Sequence, residues 1–78
     1  MEIEERILKD IRLFDSGIEK AEKLELEKEE SRIVELAKMY ALDSKAWLDK
    51  KDYYTSFSSI AYAHGLLDAI LKMRNAIE

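Results

Sequence analysis

The sequence predicts an all-α protein, a compact up-down-up bundle of three helices. Three stretches of the 78-residue chain carry apolar side chains three or four residues apart, the spacing that places them on one face of a helix. The chain has no proline and only two glycines, so nothing in its composition prevents long helices. The connection between the second and third stretches is only a few residues long, which makes these two helices antiparallel neighbours. We therefore expect residues 1–78 to form a single three-helix domain.

The first predicted helix runs from about Glu2 to Leu24. Glutamates in its first turn suit the positive end of the helix dipole. Gly17 lies inside this helix, where glycine costs about 1 kcal/mol relative to alanine, and this indicates the close approach of a neighbouring helix. The apolar stripe consists of Ile3, Ile7, Ile11, Phe14, Ile18 and Ala21.

The second predicted helix runs from about Arg32 to Lys50. The periodicity is lost over residues 24–31, which indicates a turn, and Ser31 is the expected N-cap. The two lysines that end the helix place positive charge at the negative end of its dipole. The apolar face consists of Ile33, Val34, Ala37, Tyr40, Ala41, Ser44, Trp47 and Leu48.

The third predicted helix is the most apolar part of the chain and continues to about Ala76, with Asp52 as its expected N-cap. It is apolar on two sides, which is typical of a central helix or of one that meets an oligomer neighbour. Its main face consists of Tyr53, Tyr54, Phe57, Ile60, Ala61, His64, Leu67 and Leu71. Its second strip, the candidate interface unless the first helix covers it, consists of Leu66, Ile70, Met73 and Ile77. The residues expected to be buried together are Phe14, Ile33, Tyr40, Trp47, Phe57, Ile60 and Leu67.

His64 and Asp68 are the polar exceptions on the main face of the third helix. They are four residues apart, so their side chains can meet. A buried polar group without a partner costs about 1–3 kcal/mol, so we expect the two residues to bond each other or a hydroxyl such as that of Tyr40 or Tyr54. We consider three roles for this pair. The favoured role is structural, the second is to orient a ligand, and the third is catalytic. Gly65 is expected to let the second helix come close.

Composition argues against several classes of function. The net charge is −4 and the basic residues are scattered, whereas nucleic-acid binding needs a clustered basic face. No apolar run approaches the roughly 20 residues of a membrane span, and the charged N-terminus lacks the apolar core of a signal peptide. We therefore expect a cytoplasmic protein that binds neither nucleic acid nor membrane. The absence of glutamine, with abundant glutamate and lysine, is typical of a thermophile.

Enzyme and metal chemistry are not expected either. One histidine and no cysteine leave only carboxylates to complete a metal site. The Glu-x-x-His motif of di-iron bundles is absent, because Ala61 stands three residues before His64. There is neither a Gly-x-Ser-x-Gly elbow nor a glycine-rich phosphate loop. We expect no catalytic residues, no metal and no cofactor.

The segment KKDYYTSFSSIAYAHGLLDAI resembles a small archaeal family called domain of unknown function 357. The residues that carry the resemblance are Asp52, Tyr53, Phe57 and the run from Tyr62 to Ala69. The resemblance covers roughly residues 30–71 and, more loosely, the first helix; Lys51 stands where the family pattern has a glycine. It implies an archaeal source and a compact helical bundle, and it implies no activity.

Two functions remain after these exclusions. The favoured one is a non-enzymatic interaction module that self-associates, for example as a homodimer, or that docks a partner helix. The alternative is a small-molecule site in the bundle. Its candidate ligand-binding residues are His64, Asp68, Tyr40, Trp47 and Tyr54.

Overall fold

Three α-helices make up most of residues 2–75, the part of the chain that the computed structural model describes. They are α1 (Glu2–Glu22), α2 (Lys28–Asp49) and α3 (Tyr53–Met73), and no strand occurs in this range. The predicted all-α class is confirmed. The predicted helix bounds differ mainly at the first connection, where α1 ends earlier and α2 begins earlier than expected. The predicted end of the third helix at Ala76 lies outside the described residues.

The first turn of α2 shows why its start was predicted too late. Glu27, not Ser31, is the N-cap, and its main-chain N–H donates to Oε1 of Glu30 at 2.8 Å. A glutamate three residues into a helix often accepts such a bond. Ser31 therefore lies inside the helix, and the predicted Ser31 cap is wrong.

The connection between α2 and α3 follows the prediction more closely. Asp52 is the N-cap of α3, and its carboxylate accepts bonds from the main-chain N–H of Thr55 at 3.1 Å and from the Thr55 hydroxyl at 2.9 Å. Lys51 has φ of 63°, in the left-handed region that favours glycine after a helix C-terminus. The turn therefore keeps a glycine-like backbone although this chain carries lysine there.

Contacts along the helices establish the up-down-up order. Glu4 and Asp10 of α1 contact Tyr53 and His64 of α3 in the same sequence order, so these two helices are parallel. By contrast, Arg74, just after α3, pairs with Glu30 near the start of α2, so α2 and α3 are antiparallel. The helix α3 packs against both others, whereas α1 and α2 touch at few points. The expectation that the third helix is central is confirmed.

The buried apolar side chains of the described residues form one cluster to which all three helices contribute. Phe14, Ile60 and Leu67 are buried in it as predicted. Tyr40 and Phe57 are only partly buried and pack against it. The prediction is wrong for Ile33 and Trp47, which are 36% and 37% exposed. The full set of buried apolar residues is Ile7, Ile11, Phe14, Ala21, Val34, Ala37, Ala41, Ile60, Ala63, Leu67, Ile70 and Leu71.

The two glycines have different surroundings. A Cβ atom on Gly17 would lie 2.7 Å from Cδ2 of Leu67, so the predicted close approach is confirmed and is made by a side chain of α3. A Cβ on Gly65 would have nothing within 4 Å. Gly65 therefore does not serve to bring α2 close, and that expectation is wrong.

Two buried serines connect α2 and α3 through hydrogen bonds. The hydroxyl of Ser44 donates to the main-chain oxygen of Ser56 at 2.8 Å, and the hydroxyl of Ser56 donates to the main-chain oxygen of Ser44 at 2.7 Å. Both side chains are fully buried. Because each hydroxyl is satisfied by the opposite helix, small polar residues here permit close packing without an unpaired group.

The ion pair of Glu30 and Arg74 links the start of α2 to the end of α3, and it should make the stability of the protein depend on pH. The side-chain bond from Arg74, with the main-chain bond from Glu27, lowers the pKa of Glu30 from 4.5 to about 2. A carboxyl group whose pKa is lower in the folded than in the unfolded state stabilises the protein at a pH above its unfolded-state pKa. This stabilisation is lost as the pH falls to the folded-state pKa. We therefore expect the stability gap between wild type and Arg74→Ala to shrink between pH 4.5 and about 2.

Urea unfolding over that pH range measures the gap. Arg12→Ala removes the same charge from an exposed position of α1 and is the control. A gap between wild type and Arg74→Ala that stays constant down to pH 2 would contradict the assignment.

Candidate interaction surface

His64 is turned towards α1. Its Nε2–H donates to the main-chain oxygen of Asp10 at 2.7 Å, and its ring meets the edge of Phe14 with 5.8 Å between ring centroids. The side chain is half-buried. One ring nitrogen of His64 thus connects α3 to α1.

Asp68 does not pair with His64. Within residues 2–75 no hydrogen bond joins the two side chains, and the bonded Nε2 of His64 is directed to Asp10. The alternative hydroxyl partners are also elsewhere: the ring of Tyr40 packs edge-on against Tyr62 at 4.6 Å, and Tyr54 is 85% exposed. The expected bond of His64 to Asp68, or to a tyrosine hydroxyl, is not formed.

The five predicted ligand-binding residues are not brought together at one concave site. His64 lies against α1, Tyr40 contacts α3 on another side of the bundle, and Trp47 is covered by the ammonium of Lys50 at 5.0 Å from its ring centroid. Surface cavities of 340 and 260 Å³ lie between α1 and α2, and a shallow depression of 430 Å³ lies on α2. None of the five residues lines any of these three.

The residues of the predicted interface strip of α3 differ in exposure. Ile70 is 1% exposed and belongs to the core, so it is not a surface residue. Its position on the helix adjoins those of Ala63 and Leu67, and α3 buries a wide arc because it contacts two helices. Leu66 is half-buried, Met73 is 71% exposed, and Ile77 lies outside the described residues.

Further exposed apolar side chains lie on α2 and on the side of α3 next to it. Leu36 and Met39 are 40% and 62% exposed on the outer side of α2, and the contact of Tyr40 with Tyr62 joins this side to α3. We call this surface the apolar face. Its members are Ile33, Leu36, Met39, Tyr40 and Trp47 of α2 with Tyr62, Leu66 and Met73 of α3.

Sequence periodicity did not assign the residues on the outer side of α2 to any surface. Leu36, Met39 and Leu42 fall outside the stripe assigned to the core of α2, and they are the sequence signal that α2 is apolar on more than one side. Leu42 is 63% exposed and borders the groove towards α1. An apolar helix with only one extensive contact, to α3, must leave some of these side chains in solvent.

The family model described as protein of unknown function (DUF357) matches residues 9–76. The chain belongs to this family. The match extends the resemblance seen over residues 30–71 through most of α1 and confirms it. No curated protein matches the chain. The family description assigns no activity, so the function of this DUF357 protein has to be argued from its own surface.

Two further observations bear on the surface of this DUF357 protein. Across residues 2–75, no three or more histidine, aspartate or glutamate side chains group in a way that would hold a metal ion. None of the three helices is both long and apolar enough to cross a lipid bilayer.

Proposed function

We propose that this DUF357 protein is a non-enzymatic association module that binds another protein surface through the apolar face. The observation that supports the proposal is the exposure of large side chains on α2 and α3, with Met39 at 62%, Tyr62 at 53% and Met73 at 71%, together with the contact between Tyr40 and Tyr62 that joins the two helices. Contiguous exposed apolar residues usually mark an interaction site. Tyrosine, tryptophan and methionine are also enriched in the centres of protein interfaces.

The alternative function, a small-molecule site around His64 and Asp68, has less support. The bonded nitrogen of His64 is directed to the main chain of α1, and the tyrosines expected beside it lie elsewhere. Ligand sites are concave and bury most of the ligand, whereas none of the candidate residues lines the cavities described above. We also propose a cytoplasmic location and a protein partner rather than nucleic acid, because the basic residues are scattered along an acidic chain.

Charge introduced at the centre of the apolar face should abolish association. Tyr62→Glu places a carboxylate at the junction of α2 and α3, and a buried unpaired charge is strongly unfavourable at an interface. Leu13→Glu is the matched control, because Leu13 is also 53% exposed but lies on α1 outside the apolar face. Sedimentation equilibrium at tens of micromolar measures self-association, and affinity capture from the source organism measures other partners.

The expected result is association of wild type and Leu13→Glu, with loss in Tyr62→Glu. Equal behaviour of all three proteins in both measurements would contradict the proposal. A metabolite that raises the melting temperature of wild type but not of His64→Ala would favour the small-molecule alternative instead.

A further inference from the structure

The outer side of α2 carries a seam with coiled-coil spacing. Arg32, Leu36, Met39, Asp43 and Ala46 are separated by four, three, four and three residues, the pattern that aligns side chains along one line of a helix. Leu36 and Met39 at the centre are exposed, and the shallow depression of 430 Å³ that they help to line is bounded by α2 residues alone. No other described segment of the chain covers it.

We propose that a second copy of this chain covers this seam, with the two α2 helices antiparallel about a two-fold axis. The proposal rests on the proposed function and specifies its partner. The axis passes midway between positions 37 and 38. It places Leu36 of each copy opposite Met39 of the other, and Arg32 of each copy opposite Asp43 of the other.

Charge complementarity favours this occupant and this orientation. Arg32 and Asp43 lie at equal distances along α2 from the axis. The antiparallel pairing therefore forms two Arg32–Asp43 ion pairs in each dimer. A parallel pairing would instead place Arg32 opposite Arg32 and Asp43 opposite Asp43, and like charges in an interface are costly. The surface is thus complementary to itself, as the shared patch of a two-fold dimer must be.

Arg32 is available for such a contact. Its pair with Glu29 has a separation of 3.5 Å, and the two side chains are 65% and 80% exposed. An exposed pair of this kind contributes little to stability, so it competes weakly with a carboxylate from another molecule. Ile33, Tyr40 and Trp47 flank the seam on its α3 side and extend the apolar contact.

Charge exchange tests the pairing without altering the core. Arg32→Glu and Asp43→Arg each create two like-charged contacts per antiparallel dimer, and we expect each to raise the dimer dissociation constant about tenfold or more. The chain with both substitutions restores opposite charges and should return to near the wild-type value. Sedimentation equilibrium measures all four proteins, and circular dichroism checks that each keeps its helix content.

The outcomes separate this inference from the proposed function. If the wild-type protein is a monomer at tens of micromolar, the proposal that a second copy covers the seam is wrong. Association with a different protein would still support the proposed function. A wild-type dimer that Tyr62→Glu dissociates but the charge exchanges leave unchanged overturns the seam only. Loss in both single variants without recovery in the double variant also overturns the pairing.

Cross-linking tests the orientation. The chain has no cysteine, so Arg32→Cys and Asp43→Cys each introduce the only thiol. With a short bis-maleimide, the antiparallel dimer predicts efficient cross-linking when the two variants are mixed and little when either is alone. Efficient cross-linking of each variant alone would overturn the antiparallel arrangement.

Discussion

Replacing Phe14 with alanine should lower the free energy of unfolding by about 3–5 kcal/mol. Phe14 is 2% exposed, belongs to the buried cluster and packs against the ring of His64. Its removal leaves a cavity where α1 meets the core, and a loss of this size is a large part of a small domain's stability. Urea unfolding followed by circular dichroism measures the difference.

Phe57→Ala is the matched control for this prediction. Phe57 is half-buried at the edge of the cluster, with the guanidinium of Arg6 over its ring at 5.7 Å. Truncating a side chain that is already partly in solvent loses less transfer free energy and leaves no closed cavity. Equal losses for the two variants would contradict the burial of Phe14.

Leu67→Ala should cost about 2–5 kcal/mol, and Gly17→Ala in the same chain should recover part of the loss. The methyl group added at position 17 would lie 2.7 Å from Cδ2 of Leu67, so it clashes in wild type and partly fills the space that Leu67→Ala leaves. Overpacking in wild type costs about 1–3 kcal/mol, against a gain of about 1 kcal/mol in helix propensity. Gly17→Ala should therefore be neutral or destabilising alone and stabilising in Leu67→Ala.

Gly65→Ala is the matched control for this coupling. It makes the same chemical change in a helix, but the added methyl group meets nothing within 4 Å. Its effect should be a gain of about 1 kcal/mol in either background, from helix propensity alone. A coupling between Gly17→Ala and Leu67→Ala below about 0.5 kcal/mol would mean that the two sites do not share the cavity.

The helices and their order were predictable because periodicity and capping depend on residues close in sequence. The stripe of α1 that contains Phe14 is narrow, so only one side of the helix was available for burial. Asp52 was identifiable as a cap because aspartate at a helix start accepts a main-chain bond wherever the rest of the chain lies.

The face of α2 was not predictable in the same way. Its apolar residues occur on several sides, so periodicity alone does not decide between Ile33, which is exposed, and Val34, which is buried. The choice depends on where α1 and α3 lie. Burial of Ile70 has the same origin, since the arc that α3 buries is set by two neighbours rather than by its own pattern.

Only the surface character of part of the candidate site followed from the sequence. Met73 was placed on a candidate interface strip that the first helix could also have covered, and it is exposed. The partner of His64 is a main-chain oxygen of Asp10, an acceptor that every residue carries and that no motif reveals. The reciprocal bonds of Ser44 and Ser56 could not be predicted either, because the sequence placed Ser44 on the predicted apolar face of the second helix but did not assign Ser56 to the main face of the third. Their pairing depends on the distance between the two helices.

The scarcity of contacts between α1 and α2 has a consequence for motions of the native protein. Most contacts of α1 are with α3, including those of Asp10 with His64 and of Gly17 with Leu67. The hairpin of α2 and α3, by contrast, is joined by a short turn, by the two serines and by the pair of Glu30 and Arg74. Detachment of α1 should therefore break fewer contacts than separation of α2 from α3. We expect amide hydrogens of α1 to exchange with solvent faster than those in the middle of α2 and α3, which hydrogen-exchange measurements would show.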